Sequence, residues 1–125
     1  MGYKESLQAA GAKIVDFGYF GSWEGNWWAL VMYEGRTGWI HDYFGSCSVC
    51  DAYEAEFGWD REDAETEEER FKRLVEFGKT YLDDLMTQEQ AEKRAGRDLD
   101  WDLDAEDMLE FVEQYRDVML VSLNL

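Results

Sequence analysis

Two hydrophobic periods divide the chain. Up to about residue 44, apolar residues come in short runs rich in β-branched and aromatic side chains, broken by glycine-containing turns. Beyond residue 51, they recur every third or fourth position among charged residues. The first pattern predicts strands and the second predicts amphipathic helices. A short helix is expected over residues 3–10, ended by Gly11. "KIVDFGYFGSW", "WWALVMY" and "WIHDYF" read as three strands, with "EGN" and "EGRTG" as the turns between them. Connections that short make neighbouring strands antiparallel, so the three form a meander.

The helical part opens with "DAYEAEF", a short helix directly after Cys50. "TEEERFKRLVEFGKTYLDDLM" has Thr66 and Glu69 at the spacing of a capping box. Its Phe71, Leu74, Val75, Tyr81, Leu82 and Leu85 keep helical spacing, with Gly78 on the same stripe, where close packing would demand a small residue. Thr87 and Gln90 repeat the capping pattern, and Gly96 ends that helix. A last helix is expected after Asp104, with Met108, Phe111, Val112, Tyr115 and Met119 facing inward. The expected fold is α+β: a three-stranded antiparallel meander followed by three or four helices packed on one sheet face. We expect a single domain over 1–125, with a β-rich half (1–50) carrying a metal loop and an acidic helical half (51–125). No internal repeat or linker interrupts it, and the chain has no proline.

The second strand is apolar at alternate and intervening positions alike, so both of its faces need cover. Either helices cover one face and a partner the other, or Trp23, Trp27 and Trp28 divide between core and surface.

Charge changes the picture most. The chain carries 29 acids and 12 bases, a net charge of −17. Residues 1–50 hold five acids against three bases, and residues 51–125 hold the other 24 acids against nine bases. Such a field repels nucleic acid and anionic membrane and attracts basic surfaces. No run of eighteen apolar residues predicts a membrane span, and "MGYKESLQAAGAK" lacks the apolar core of a secretion signal. "MGYKES" has the Gly2 and Ser6 spacing of a myristoylation signal, a short pattern that often arises by accident. The expected location is cytoplasmic.

"HDYFGSCSVCD" holds both cysteines and the only histidine of the chain. A Cys-x-x-Cys turn lets two sulfurs approach one ion, and His41 at a strand end could reach back over the loop, so Cys47, Cys50 and His41 are three candidate ligands for zinc. The fourth must be a carboxylate or water; Asp51 and Asp42 are closest in sequence. A redox dithiol is disfavoured by Asp51, Glu54 and Glu56, which oppose a thiolate. The remaining alternative is a pair of reduced cysteines packed near a histidine.

Two acidic stretches stand apart. In "EDAETEEE", the acids Glu62, Asp63, Glu65, Glu67 and Glu68 exceed what a helix macrodipole needs at its N-terminus. They could present carboxylates where DNA presents phosphates. "DLDWDLDAED" alternates Asp98, Asp100 and Asp102 with Leu99, Trp101 and Leu103. It fails the calcium-loop pattern, because neither register places Gly at position 6 or Glu at position 12. No Ser/His/Asp set and no phosphate loop stand out.

"GSCSVCDAYEAEF" resembles a group of small phage and bacterial proteins with a glycine- and aromatic-rich strand pair followed by Gly-Ser-Cys-Ser-x-Cys-Asp. The likeness spans residues 18–57. The small, acidic whole also resembles anti-CRISPR proteins, in particular a zinc-containing type II-A inhibitor. The resemblance implies zinc on Cys47 and Cys50 with His41, and a bacterial CRISPR effector nuclease as partner, in the cytoplasm of the bacterial host cell. The leading expectation is a non-enzymatic inhibitor. Its acids would pair with a basic surface of an RNA-guided DNA nuclease and block DNA loading, as a DNA mimic without direct nucleic-acid binding. The alternative is a small zinc-dependent hydrolase, with three protein ligands and an open position for water.

Overall fold

The computed structural model describes residues 2–45, 51–57, 65–97 and 104–123, with backbone alone for 120–123. Its elements run α1 (Tyr3–Ala9), β1 (Lys13–Gly21), β2 (Gly25–Tyr33), β3 (Arg36–Phe44), α2 (Ala52–Phe57), α3 (Glu67–Leu82), α4 (Gln88–Gly96), α5 (Ala105–Glu113) and α6 (Arg116–Leu123). The strands form one antiparallel sheet in the order β1-β2-β3, so the fold is α+β, a meander followed by helices. Among the described residues, no helix is long and apolar enough to cross a membrane.

The turns differ in detail from the pattern-based expectation. Glu34 and Gly35 both adopt positive φ between the paired Tyr33 and Arg36, the two-residue geometry that matches strand twist. Because that turn needs only two residues, Arg36, Thr37 and Gly38 join β3 instead of the turn. At the first hairpin, the turn is residues 22–24 rather than "EGN": Gly25 pairs with Gly21, and Asn26 pairs with Phe20 and Tyr43. Val15 is an extra residue in β1, where the register slips between Ile14 and Asp16. Such a bulge bends the strand locally.

Both faces of β2 are buried. On one face, Trp27, Ala29 and Val31 meet Ile40 and Phe44 of β3 and are covered by Tyr3 and Leu7 of α1 and Leu82 of α3. The contacts there are largely aromatic. Trp27 stacks between Tyr3 and Phe17, at ring-centroid distances of 4.7 and 5.5 Å, and Tyr81 of α3 meets it edge-on at 5.2 Å. The Trp27 Nε1 donor is buried without a hydrogen-bond partner among the described residues, a cost that this ring packing offsets. On the opposite face, Trp28 and Trp39 are 0% exposed and Leu30 is also buried. The two adjacent tryptophans therefore divide between opposite faces of the sheet, both buried, while Trp23 is left on the surface.

Helices α1 and α3 cross closely at Gly78. A Cβ there would stand 2.1 Å from the Ser6 carbonyl oxygen and 3.0 Å from the Ala10 Cβ, so only glycine permits this approach. Thr66 caps α3 by accepting from Glu69 N at 3.1 Å, and α4 has both halves of a capping box between Thr87 and Gln90.

The packing units do not follow the β-rich and helical halves. The chain divides into residues 1–85, in which α2 and α3 join the sheet, and residues 86–125. The second unit pairs α4 with α5 through buried Ala91, Ala95, Ala105, Met108 and Val112. Among the described residues, the single last helix expected from spacing is two, α5 and α6. Gln114 explains the break. Its side-chain amide donates to the Phe111 carbonyl at 3.0 Å, the acceptor Tyr115 N would use in a continuous helix, and Tyr115 N turns to Val112 O instead.

Candidate functional site

The junction after β3 is organised by Asp51, which is 1% exposed. It directly precedes α2, and its Oδ1 accepts from Tyr53 N at 3.0 Å and Glu54 N at 3.1 Å, the bonds of an N-cap. The same oxygen accepts a short hydrogen bond from the Tyr3 hydroxyl, and Oδ2 accepts from Gly45 N at 3.1 Å. Tyr3 Oη in turn accepts from Tyr53 N at 3.0 Å. One carboxylate thus ties α1, the end of β3 and the start of α2 together. A second tyrosine–carboxylate pair, Tyr81 Oη to Asp42 Oδ2 at 2.6 Å, ties α3 to β3. Burial, then the hydrogen bond to the neighbouring carboxylate, pushes both the Tyr3 and Tyr81 hydroxyls well above the ordinary tyrosine range. Tyr19 is pushed up to about 12 by burial and by the charges of Glu5 and Asp51.

These contacts bear on the candidate zinc ligands. Asp51 uses its oxygens for four donors in the cluster around Tyr3, whose ring lies on the Trp27 face. His41 projects to the other face: its ring packs on Trp28 at 4.6 Å and Tyr43 at 5.1 Å, and its Nε2 lies 2.7 Å from Asn26 Oδ1. Asp51 is thus engaged as the N-cap of α2, while His41 packs on the Trp28 face. Cys47 and Cys50 lie outside the described residues. Among the described residues, no group of three or more His, Cys, Asp and Glu is placed to hold a metal ion.

The candidate partner-binding acids separate in the same way. Glu62, Asp63, Asp98, Asp100 and Asp102 lie outside the described residues. Glu65 is engaged internally: Arg73 Nη1 donates to it at 2.7 Å, while Nη2 donates to the Glu56 backbone carbonyl at 2.5 Å. The Arg73 guanidinium also lies over the Phe57 ring at 4.9 Å, so this ion pair fastens α2 to α3. Glu67 and Glu68 are exposed in the first turn of α3, where the helix dipole favours them.

A second acidic surface lies on α5. Glu106, Asp107, Glu110 and Glu113 are all exposed, while Ala105, Met108 and Val112 are buried. Glu106, Glu110 and Glu113 have the i, i+4, i+7 spacing of a single helix face, and α5 contains no base. Arg116 of α6 is 3.8 Å from Glu113 and bonded at short range to Glu92 of α4. Sequence reasoning passed over this stripe because the helix was read from its apolar positions alone. The signal was present in "AEDMLEFVE", whose acids repeat at helical spacing without a lysine or arginine among them.

Comparison of the chain with models of protein families, with curated proteins and with solved structures finds no match.

Proposed function

We propose that this chain is a binding module without a reaction of its own, which covers a basic protein surface with its carboxylates. The observation that carries this reading is the α5 stripe. Glu106, Glu110 and Glu113 stand in line on an exposed face with no base on their helix. Like charges at that spacing oppose helix formation by roughly 0.2–0.5 kcal/mol per pair, and a partner of opposite charge gives the arrangement a use. The net charge of −17 gives the same sign to the long-range field, which would steer a basic partner toward the chain.

The particular partner follows from the resemblance to anti-CRISPR proteins: a bacterial RNA-guided DNA nuclease, whose DNA-binding channel is lined with lysine and arginine and would accept carboxylates in place of phosphates. The chain would act there as an inhibitor of DNA loading. Zinc on Cys47 and Cys50 with His41 is part of the same reading, as a structural staple. It is tested by elemental analysis of the purified wild type and of Cys47→Ala.

The functional test is a triple substitution, Glu106→Gln with Glu110→Gln and Glu113→Gln, in a displacement titration against DNA on the guide-loaded nuclease. A loss of affinity of about tenfold or more, with unchanged or slightly raised thermal stability, supports the reading. Unchanged displacement by the triple variant counts against it.

A further inference from the structure

A lone exposed apolar side chain on a protein surface carries no message. Three observations set Trp23 apart. First, it is 83% exposed in a chain that holds Trp27, Trp28 and Trp39 at 0%. It makes no hydrogen bond or ring contact with any described residue. An indole is among the largest apolar groups a chain can bury, and here it is held in water.

Second, the hairpin that presents it is built tightly. Gly21 and Gly25 pair across the turn, and Gly21 takes φ +122°. A Cβ at Gly21 would meet the Glu24 carbonyl oxygen at 2.4 Å, and one at Gly25 would meet the Phe20 carbonyl oxygen at 2.0 Å. Only glycine fits at either flank, so the close approach of the two strands at this turn fixes where Trp23 leaves the sheet.

Third, the surroundings are aromatic and acidic. Tyr19 and Tyr43, 40% and 48% exposed, lie near the same end of the sheet on its two faces. Glu24 sits beside Trp23 in the turn. The two bases of the sheet, Lys13 and Arg36, lie at the other end, paired with Met32 and Tyr33. The third base of residues 1–50, Lys4, is exposed on α1.

We infer that the β1–β2 hairpin tip is a docking element in which Trp23 anchors into an apolar pocket of a partner protein, with Glu24 and the acidic field of the chain meeting a basic rim around that pocket. This rests on the reading of the chain as an acidic binding module and adds where its apolar anchor lies. Buried tryptophans surrounded by a polar rim are the commonest energetic centres of protein interfaces. A second copy of this chain is a poor occupant, because two molecules of net charge −17 repel.

The test uses the full chain and two peptide probes of equal positive charge: an oligolysine, and an amphipathic lysine–leucine peptide that adds an apolar face. Binding is measured by calorimetry at low salt for wild type, Trp23→Ala and Trp23→Phe, with melting temperatures alongside. The expected result is that wild type binds the lysine–leucine peptide about tenfold or more tightly than Trp23→Ala does, and Trp23→Phe falls between them. All three should bind oligolysine equally and melt alike. Equal binding of the lysine–leucine peptide by wild type and Trp23→Ala overturns the anchor and leaves the acidic-module reading standing. No binding of either peptide by wild type overturns both. Trp23-dependent self-association in sedimentation, or Trp23-dependent partition onto phosphatidylcholine vesicles, also overturns the proposal, by assigning the tip to a second copy or to a lipid surface.

Discussion

The two packing units use different means to hold their backbone. In residues 1–85, large rings bring distant segments together. Tyr3 of α1, Trp27 of β2, and Phe77 and Tyr81 of α3 form one aromatic cluster, and buried hydroxyls of Tyr3 and Tyr81 fasten to Asp51 and Asp42. In residues 86–125, α4 and α5 pack through alanines, a valine and a methionine, the contact is reinforced by Gln88 Nε2 donating to Val112 O at 2.7 Å, and Arg116 of α6 is fastened to Glu92 of α4. The first arrangement concentrates stability in a few irreplaceable side chains. The second spreads it thinly and leaves one helix face free to carry charge. The aromatic cluster and the acidic stripe of α5 therefore lie in different units, and each can be perturbed with little effect on the other.

The largest expected effect is in the first unit. Trp27→Ala removes the ring that Tyr3, Phe17 and Tyr81 all touch, and should cost about 3–5 kcal/mol in urea unfolding, with loss of near-ultraviolet circular dichroism. A cost under about 1 kcal/mol would mean that the fold does not depend on this cluster. Next comes Asp51→Asn. The amide would turn a donor toward one of the four groups now donating to the carboxylate, so about 2 kcal/mol or more should be lost. The loss should be the same with and without a zinc chelator. A loss that appears only when metal is present would place Asp51 in the ligand set.

The tyrosine hydroxyls give a pH-dependent comparison. Tyr81 has its folded-state pKa raised above the ordinary value of 10.0, so the folded state keeps a proton that the unfolded state gives up. Its contribution is fully present below about pH 10 and is lost as pH rises beyond that, at up to about 1.4 kcal/mol per pH unit for one such group. Tyr81→Phe should be less stable than wild type at pH 7, because Asp42 loses its donor, yet should show a shallower decline in urea midpoint between about pH 9.5 and 11. Parallel declines would contradict the assignment. The smallest effect belongs to the second unit. Glu110→Gln relieves repulsion on α5 and should raise stability by about 0.2–0.5 kcal/mol. A destabilisation of 1 kcal/mol or so would mean that the stripe is structural after all.

Much of this architecture was legible in the sequence, for physical reasons. Thr66 and Thr87 announced their helices because capping is local chemistry, and Gly78 on an apolar stripe announced a close crossing because nothing larger fits. The strands were recognisable by composition, but the first turn was misplaced: which glycine of "GSWEG" pairs with which depends on the neighbouring strand, not on the tripeptide itself. The split between α5 and α6 was hidden because Gln114 is an ordinary helix former whose side chain happens to take the Phe111 carbonyl. Asp51 beside Cys50 reads as a candidate ligand, and its position before "AYEAEF" is equally the signature of the N-cap that the structure shows. Its long-range donor, Tyr3, lies 48 residues away and leaves no local mark. The acids were visible throughout, but which of them are taken by internal partners, as Glu65 is by Arg73, depends on tertiary placement.

The central claim is that surface carboxylates, rather than a metal or an enzyme site, do the binding. Its most direct test is the affinity of the chain for the guide-loaded nuclease, measured in competition with DNA from about 50 to 500 mM salt, a range over which the Debye length falls from about 14 to about 4 Å. The account predicts a steep, continuous loss of affinity of about a hundredfold or more, retained when zinc is chelated under conditions that leave the chain folded. Tight binding that ignores salt, or binding lost with the metal while the fold persists, would contradict it.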